Sequence, residues 1–295
     1  MQIVKISFWH KASFVVLAAG IVLLFHPVQL LSYFAYPILA WSILGILDAL
    51  NVLKWKSSLM TADCKLFWGS MVPVSLMFWL FFEYLNLLYS QWIYLDAPSN
   101  KATATILTAL SFSTVIPLVI EVLWYFIGPV EDIKLPENMR NFISSYRRFF
   151  PVFAIALLAG LLVVRTFWTI QAMWFIPFFL FISFTPTAHA AASKLKSFHV
   201  SIVVAALLSG LIWETINYRA TTKWVYLLLP KSPHLFEMPL PGYLGYVPFA
   251  FSVLAVYLWA RTHLGYTLLR ACILYCLALV VSYIFVVSHS AVFHP

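Results

Sequence analysis

The 295-residue chain is 63% hydrophobic and only 9% charged, with a mean hydropathy of +0.92, which excludes a water-soluble globular domain. Its net charge of +8 comes from basic loops and a shortage of acids. No basic patch with interleaved aromatics stands outside the apolar stretches, so nucleic acid is excluded as a partner.

A bilayer crossing takes roughly 20 apolar residues. On that measure the sequence predicts nine helices in chain order, at about 9–27, 30–50, 66–88, 104–128, 149–166, 168–190, 199–219, 243–261 and 265–288. The first follows a short basic stretch, as a signal peptide would. Its apolar run continues without a small-x-small cleavage site, and it is expected to be retained. The first and second helices are separated only by His26-Pro27, and the fifth and sixth only by Arg165-Thr166. Either pair reads as two spans, one long tilted helix or a re-entrant hairpin.

Basic residues set the expected orientation. Lys5, Lys11, Lys54, Lys56, Lys65, Lys134, Arg140, Arg147, Arg148, Lys194, Lys196 and Arg261 fall on one side, against Lys101, Arg165, Arg219, Lys223 and Lys231 on the other. This places the amino terminus in the cytoplasm and the carboxyl terminus outside, in a multi-pass arrangement that suits a bacterial inner membrane.

One feature recurs. Residues 82–94 read FEYLNLLYSQWIY and residues 213–226 read WETINYRATTKWVY, so Glu83 and Asn86 align with Glu214 and Asn217 at an offset of 131. Trp92 and Tyr94 align with Trp224 and Tyr226 after a one-residue slip, and Pro117 and Pro248 return to the 131 offset. With six Glu and six Asn in the chain, chance gives about 0.1 Glu-x-x-Asn pairs. The expected fold is an all-α polytopic membrane bundle of two parallel four-helix repeats plus one helix. Its divisions are 1–129, a cytoplasmic linker at 130–148 with a surface helix, 149–263, and 264–295 with the ninth helix and an external tail. An even number of spans per unit inserts both copies the same way up.

Ionisable side chains inside spans are costly, about 2.5–3.5 kcal/mol each at a helix centre on insertion scales. Glu83 and Glu214 are therefore the candidate acid–base residues, expected near the external surface. Asn86, Asn217, Trp92, Tyr94, Trp224, Tyr226, Glu121 and Glu237 are candidate substrate-binding residues. For the Trp and Tyr pairs an interfacial anchoring role competes. Asp48 and Arg165 are expected to snorkel or cap near interfaces, and Arg270 to meet headgroups. Glu121 aligns with Ser252, so the second copy lacks that acid. The segment at about 227–243 holds Pro230, Pro233, Pro239 and Pro241, which rule out an ordinary helix; it reads as a lid or a rigid connector.

No Gly-rich phosphate loop, clustered His pattern or Asp-rich diphosphate motif is present, so no cofactor and no metal is expected. Cys64, Cys272 and Cys276 lack metal spacing. These features fit a membrane protein that binds or processes a hydrophobic or amphipathic molecule, a lipid or isoprenoid. If it is an enzyme, it carries out cofactor-independent acid–base chemistry of an isomerase, cyclase or hydratase type. The alternatives are a proton- or ion-coupled transporter and an assembly subunit of a membrane complex. Membrane lipids, a hydrophobic small molecule and other membrane subunits are the expected partners.

Overall fold

The computed structural model describes residues 6–129, 137–164, 166–184 and 198–288. Arg165, Lys5, Lys134, Lys194 and Lys196, the first part of the linker, the end of the sixth expected helix and the external tail lie outside the described residues.

Apolar sequence and local caps together define the helices. Helix α1 (Phe8–Phe25) starts at Ser7, whose side chain accepts from the His10 backbone N–H, and stops ahead of Pro27, which disfavours helical backbone at His26. Helix α2 (Ala35–Trp55) lies along α1 as a hairpin and ends at Lys56 in left-handed backbone. The His26-Pro27 break thus separates two helices. Helix α3 (Cys64–Tyr89) contains a π turn at Phe67–Met71 and ends at Ser90, again left-handed. Helix α4 (Lys101–Ile127) is capped by Asn100, relaxes at Ser113-Thr114 and ends at Gly128, φ 85°.

A linker helix, Glu137–Tyr146, follows, and it meets α5 (Phe149–Val163) at a bend of 74°. Helix α6 (Thr169–Ile182) packs back on α5. Helices α7 (Phe198–Arg219), α8 (Tyr246–His263) and α9 (Leu268–Ser288) complete the chain. Seven of these elements are long and apolar enough to cross a membrane, or eight if the bent pair at α5 counts as one span. Among the described residues, α5 and α6 fall short of that length. The 15 residues of α5 reach about 22 Å at 1.5 Å per residue, short of the ~30 Å hydrocarbon core.

Four short strands accompany the helices, and the sequence reading had none of them. Strand β1 (Trp92–Leu95) pairs antiparallel with β2 (Lys223–Tyr226), and β3 (His234–Leu235) pairs with β4 (Met238–Pro239). At the 131 offset, residues 96–114 and 227–245 have equal length and different structures. The first, with its Ala and Thr, forms the opening half of α4. The second, with four prolines, forms the β3–β4 hairpin and a 3-10 turn at Leu240–Gly245.

Among the described residues the main apolar core runs through α2, α3, α4, α7 and α8, and a smaller cluster joins Ile143, Phe150, Ile182 and Ala255. Helix α9 packs on α3 and α4 and leaves most of its surface outward. Asp48 does not snorkel to solvent. It is fully buried, with Oδ2 2.5 Å from His10 Nε2 and Oδ1 accepting from the Met60 N–H at 3.1 Å. Arg270 is exposed, and its guanidinium donates to the Leu264 carbonyl at 2.8 Å.

Candidate functional site

Glu83 and Asn86 sit one turn apart on α3, as Glu214 and Asn217 do on α7, so each pair shares a helix face. The two members do different work.

Asn86 holds a strand. Its amide donates to the Trp92 carbonyl at 2.8 Å, and its carbonyl accepts from the backbone N–H of Gln91 at 2.7 Å and of Trp92 at 3.1 Å. Asn217 repeats the arrangement. It donates to the Trp224 carbonyl at 2.8 Å and accepts from the Trp224 N–H at 2.9 Å. A side-chain amide here offers a donor and an acceptor to the chain leaving the helix, as a neighbouring strand would. The strands so fixed then meet in register, Trp92 opposite Tyr226, Ile93 opposite Val225 and Tyr94 opposite Trp224.

Glu83 and Glu214 collect donors. Glu83 Oε1 accepts from Trp79 Nε1 at 2.7 Å, from Trp92 Nε1 at 3.2 Å and from the Tyr94 hydroxyl. Glu214 Oε1 accepts from Trp224 Nε1 at 3.2 Å, from the Tyr226 hydroxyl at 2.8 Å and from the Tyr246 hydroxyl at 3.3 Å. Indole N–H is donor-only, so at each site the carboxyl serves as the acceptor. Both glutamates are fully buried. Tyr94 and Tyr226, which lie on the strands, have their phenols held well above the usual range. Burial is the main cause, and the neighbouring carboxyl adds to it.

The third donor differs between the copies in a coupled way. Position 79 is Trp, and its counterpart 131 residues on is Gly210; position 115 is Val, and its counterpart is Tyr246. A Cβ on Gly210 would lie 2.3 Å from the Tyr246 ring. The missing side chain on α7 therefore leaves the room into which α8 sends a phenol, and Tyr246 reaches Glu214 where Trp79 reaches Glu83.

The indoles and phenols held by these acids line a cavity of about 100 Å³. Its wall includes Tyr36 from α2, Trp79 from α3, Trp174 from the 3-10 turn Ala172–Phe175, Trp213 from α7 and Phe249 from α8, with β1 and β2 alongside. Three pairs of residues 131 apart line it as well: Leu107 and Met238, Ser111 and Gly242, Val115 and Tyr246. The proline-rich segment thus supplies part of the wall through Met238 and Gly242. Neither glutamate carboxyl lines the cavity; both stand behind the aromatic wall.

The candidate residues fall into groups. Glu83, Asn86, Trp92, Tyr94, Glu214, Asn217, Trp224 and Tyr226 converge around the β1–β2 ladder. Trp92 and Tyr94 are 3% and 8% exposed, which places them in the interior instead of at a lipid interface. Glu237 is engaged by Lys223 at 2.5 Å, tying the β3–β4 hairpin to β2. Glu121 is elsewhere: it accepts from the Leu59 N–H at 3.0 Å and from Asn51. The sequence reading did not single out Trp79, Trp174, Trp213, Tyr36 or Tyr246. The Trp79/Gly210 and Val115/Tyr246 mismatches at the repeat offset were the signal that would have found two of them.

The fold and composition define a polytopic helical membrane protein. No protein-family model, curated protein or solved structure matches the chain.

Proposed function

We propose that this membrane protein binds a hydrophobic or amphipathic small molecule, of the lipid or isoprenoid class, in the aromatic chamber beside β1 and β2. The observation that carries the reading is the chamber itself, a buried apolar space walled by residues from both copies of the recurring motif. In this reading the chain is a parallel duplication of four-helix units. The β1–β2 register, with Trp92 facing Tyr226 and Tyr94 facing Trp224, is what a two-fold axis between Ile93 and Val225 would give, since it maps Trp92 onto Trp224 and Tyr94 onto Tyr226. The basic-loop bias then orients the ladder outward and the amino terminus toward the cytoplasm.

Glu83 and Glu214 act through the aromatic groups in front of them. Any acid–base step on the ligand passes through the phenols of Tyr94, Tyr226 or Tyr246, each hydrogen-bonded to a carboxyl. Mass spectrometry of small molecules extracted from the purified protein tests the binding reading, with a chamber-filling Ser111→Trp variant as the control. A specific molecule retained by the wild type and lost from the folded variant is expected. The same extract from both overturns it.

A second reading, proton-coupled transport, rests on a different group, the buried His10–Asp48 pair with Glu121 and Asn51. A pH gradient that drives flux in proteoliposomes, abolished by Asp48→Asn, would favour it.

A further inference from the structure

The chamber's chemistry narrows the ligand class, and this step rests on the binding reading above. Most of the wall's ring systems have their directed hydrogens already used. Trp79, Trp92 and Trp224 donate their indole N–H to Glu83 or Glu214, and Trp174 donates to Gln171 at 3.2 Å. The hydroxyl protons of Tyr94, Tyr226 and Tyr246 also go to the two acids. Those acceptors lie behind the wall, so these rings turn π-electron density and phenol oxygen lone pairs toward the chamber, beside a few hydroxyl-bearing residues. Among the described residues no Lys or Arg lines the chamber.

An anionic head group would face electron-rich surface with no cation to meet it. A primary ammonium needs several acceptors to replace its water, and the carboxyl oxygens are not in the wall. A methylated ammonium needs none and is attracted by ring quadrupoles. Hydroxyl donors are left over at Tyr36, Thr108 and Ser111. Tyr36 lines the chamber with no hydrogen-bond partner for its hydroxyl among the described residues, so that hydroxyl is free to donate to an acceptor from outside the chain.

We propose that the chamber takes the head of a quaternary or fully alkylated ammonium compound, with an oxygen beside the cationic centre accepting from the Tyr36 hydroxyl. Two sources carry this chemistry, a choline-type lipid head group and a small soluble quaternary amine.

The test uses the full chain in nanodiscs of phosphatidylglycerol, with intrinsic tryptophan fluorescence read while choline is added. The comparison is choline's neutral carbon isostere, with a tert-butyl group in place of trimethylammonium. Choline is expected to bind at least tenfold tighter, a difference of about 1.4 kcal/mol. Tyr36→Phe is expected to weaken both probes, since both carry the hydroxyl oxygen, while the preference for the cation stays. Adding phosphatidylcholine to the discs separates the sources: competition with choline assigns the lipid, and its absence assigns a soluble amine. Equal affinity for choline and the isostere overturns the cation inference and leaves the apolar chamber standing. Saturation by neither probe overturns the cation inference, and extraction of a different molecule from the wild type would then still uphold the chamber.

Discussion

Gly210 and Tyr246 form a complementary pair: the glycine on α7 leaves the space that the tyrosine ring on α8 fills, at 2.3 Å from where a Cβ would stand. At the matching positions of the first copy the larger residue is Trp79 and the smaller is Val115. Each site thus keeps one bulky aromatic donor for its glutamate, but takes it from a different helix.

The pair can be tested by substitution and rescue. Gly210→Ala puts a methyl into the Tyr246 ring, and overpacking of this kind costs about 1–3 kcal/mol. Adding Tyr246→Val, the first copy's residue, should recover part of that loss, because the clash disappears. Thermal unfolding in detergent of the single and double variants reads the coupling. Additive losses would show that the two positions do not interact.

Asn86 should matter more than Asn217. Asn86→Ala leaves the Gln91 and Trp92 N–H groups and the Trp92 carbonyl without their side-chain partner, whereas Asn217→Ala releases only the two groups of Trp224. Each buried polar group left unpaired costs about 1–3 kcal/mol. The expected order of stability is wild type, then Asn217→Ala, then Asn86→Ala, measured by unfolding midpoint. Equal midpoints for all three would show that the strands stand without the clamp.

The contrast between what was legible and what was not follows from the range of each interaction. Long apolar runs and their capping residues are local, so helix positions could be read to within a few residues, as at Leu268–Ser288 against the expected 265–288. The β1–β2 ladder joins residues about 130 apart and is only four residues long on each side. A W-x-Y triplet outside a helix end reads equally well as an interfacial anchor. The burial of Asp48 was missed for the same reason. Its partner His10 lies on another helix, and nothing in the local sequence announces the pair. The acids Glu83 and Glu214 stood out because they recur, but repetition could not tell that their carboxyls face aromatic donors and not the cavity.

The strand phenols predict an alkaline response. Tyr94 and Tyr226 are held above the ordinary phenol pKa of about 10, while in the unfolded chain they titrate near that value. Above about pH 10 the unfolded state therefore binds fewer protons than the folded state. Stability falls as pH rises from there toward the folded values and is unaffected below. Stability measured between pH 9 and about 11 should drop less steeply in Tyr94→Phe and Tyr226→Phe than in the wild type. In an ultraviolet titration of the folded protein, neither variant should lose amplitude from the first tyrosinate wave. A lost increment there would show that these phenols titrate normally.

The contact between His10 and Asp48 ties α1 to α2, with both side chains buried and the Asp48 carboxyl also accepting from the Met60 N–H. Taking two polar groups into an apolar interior is costly, and each is tolerable because the other is there. Removing one partner of such a buried pair costs about 3–5 kcal/mol, since the survivor is left uncompensated. His10→Leu should therefore be strongly destabilising. Asp48→Asn should be milder, because the amide still accepts from Met60 through its carbonyl and can donate to the imidazole. The double variant His10→Leu/Asp48→Leu should lie closer to the wild type than the sum of its two single leucine variants predicts. A double-mutant cycle in unfolding free energy measures this. A coupling energy near zero would mean that α1 is held to α2 by apolar packing alone, the Gly20–Leu39 and Gly45–Ser13 close approaches included.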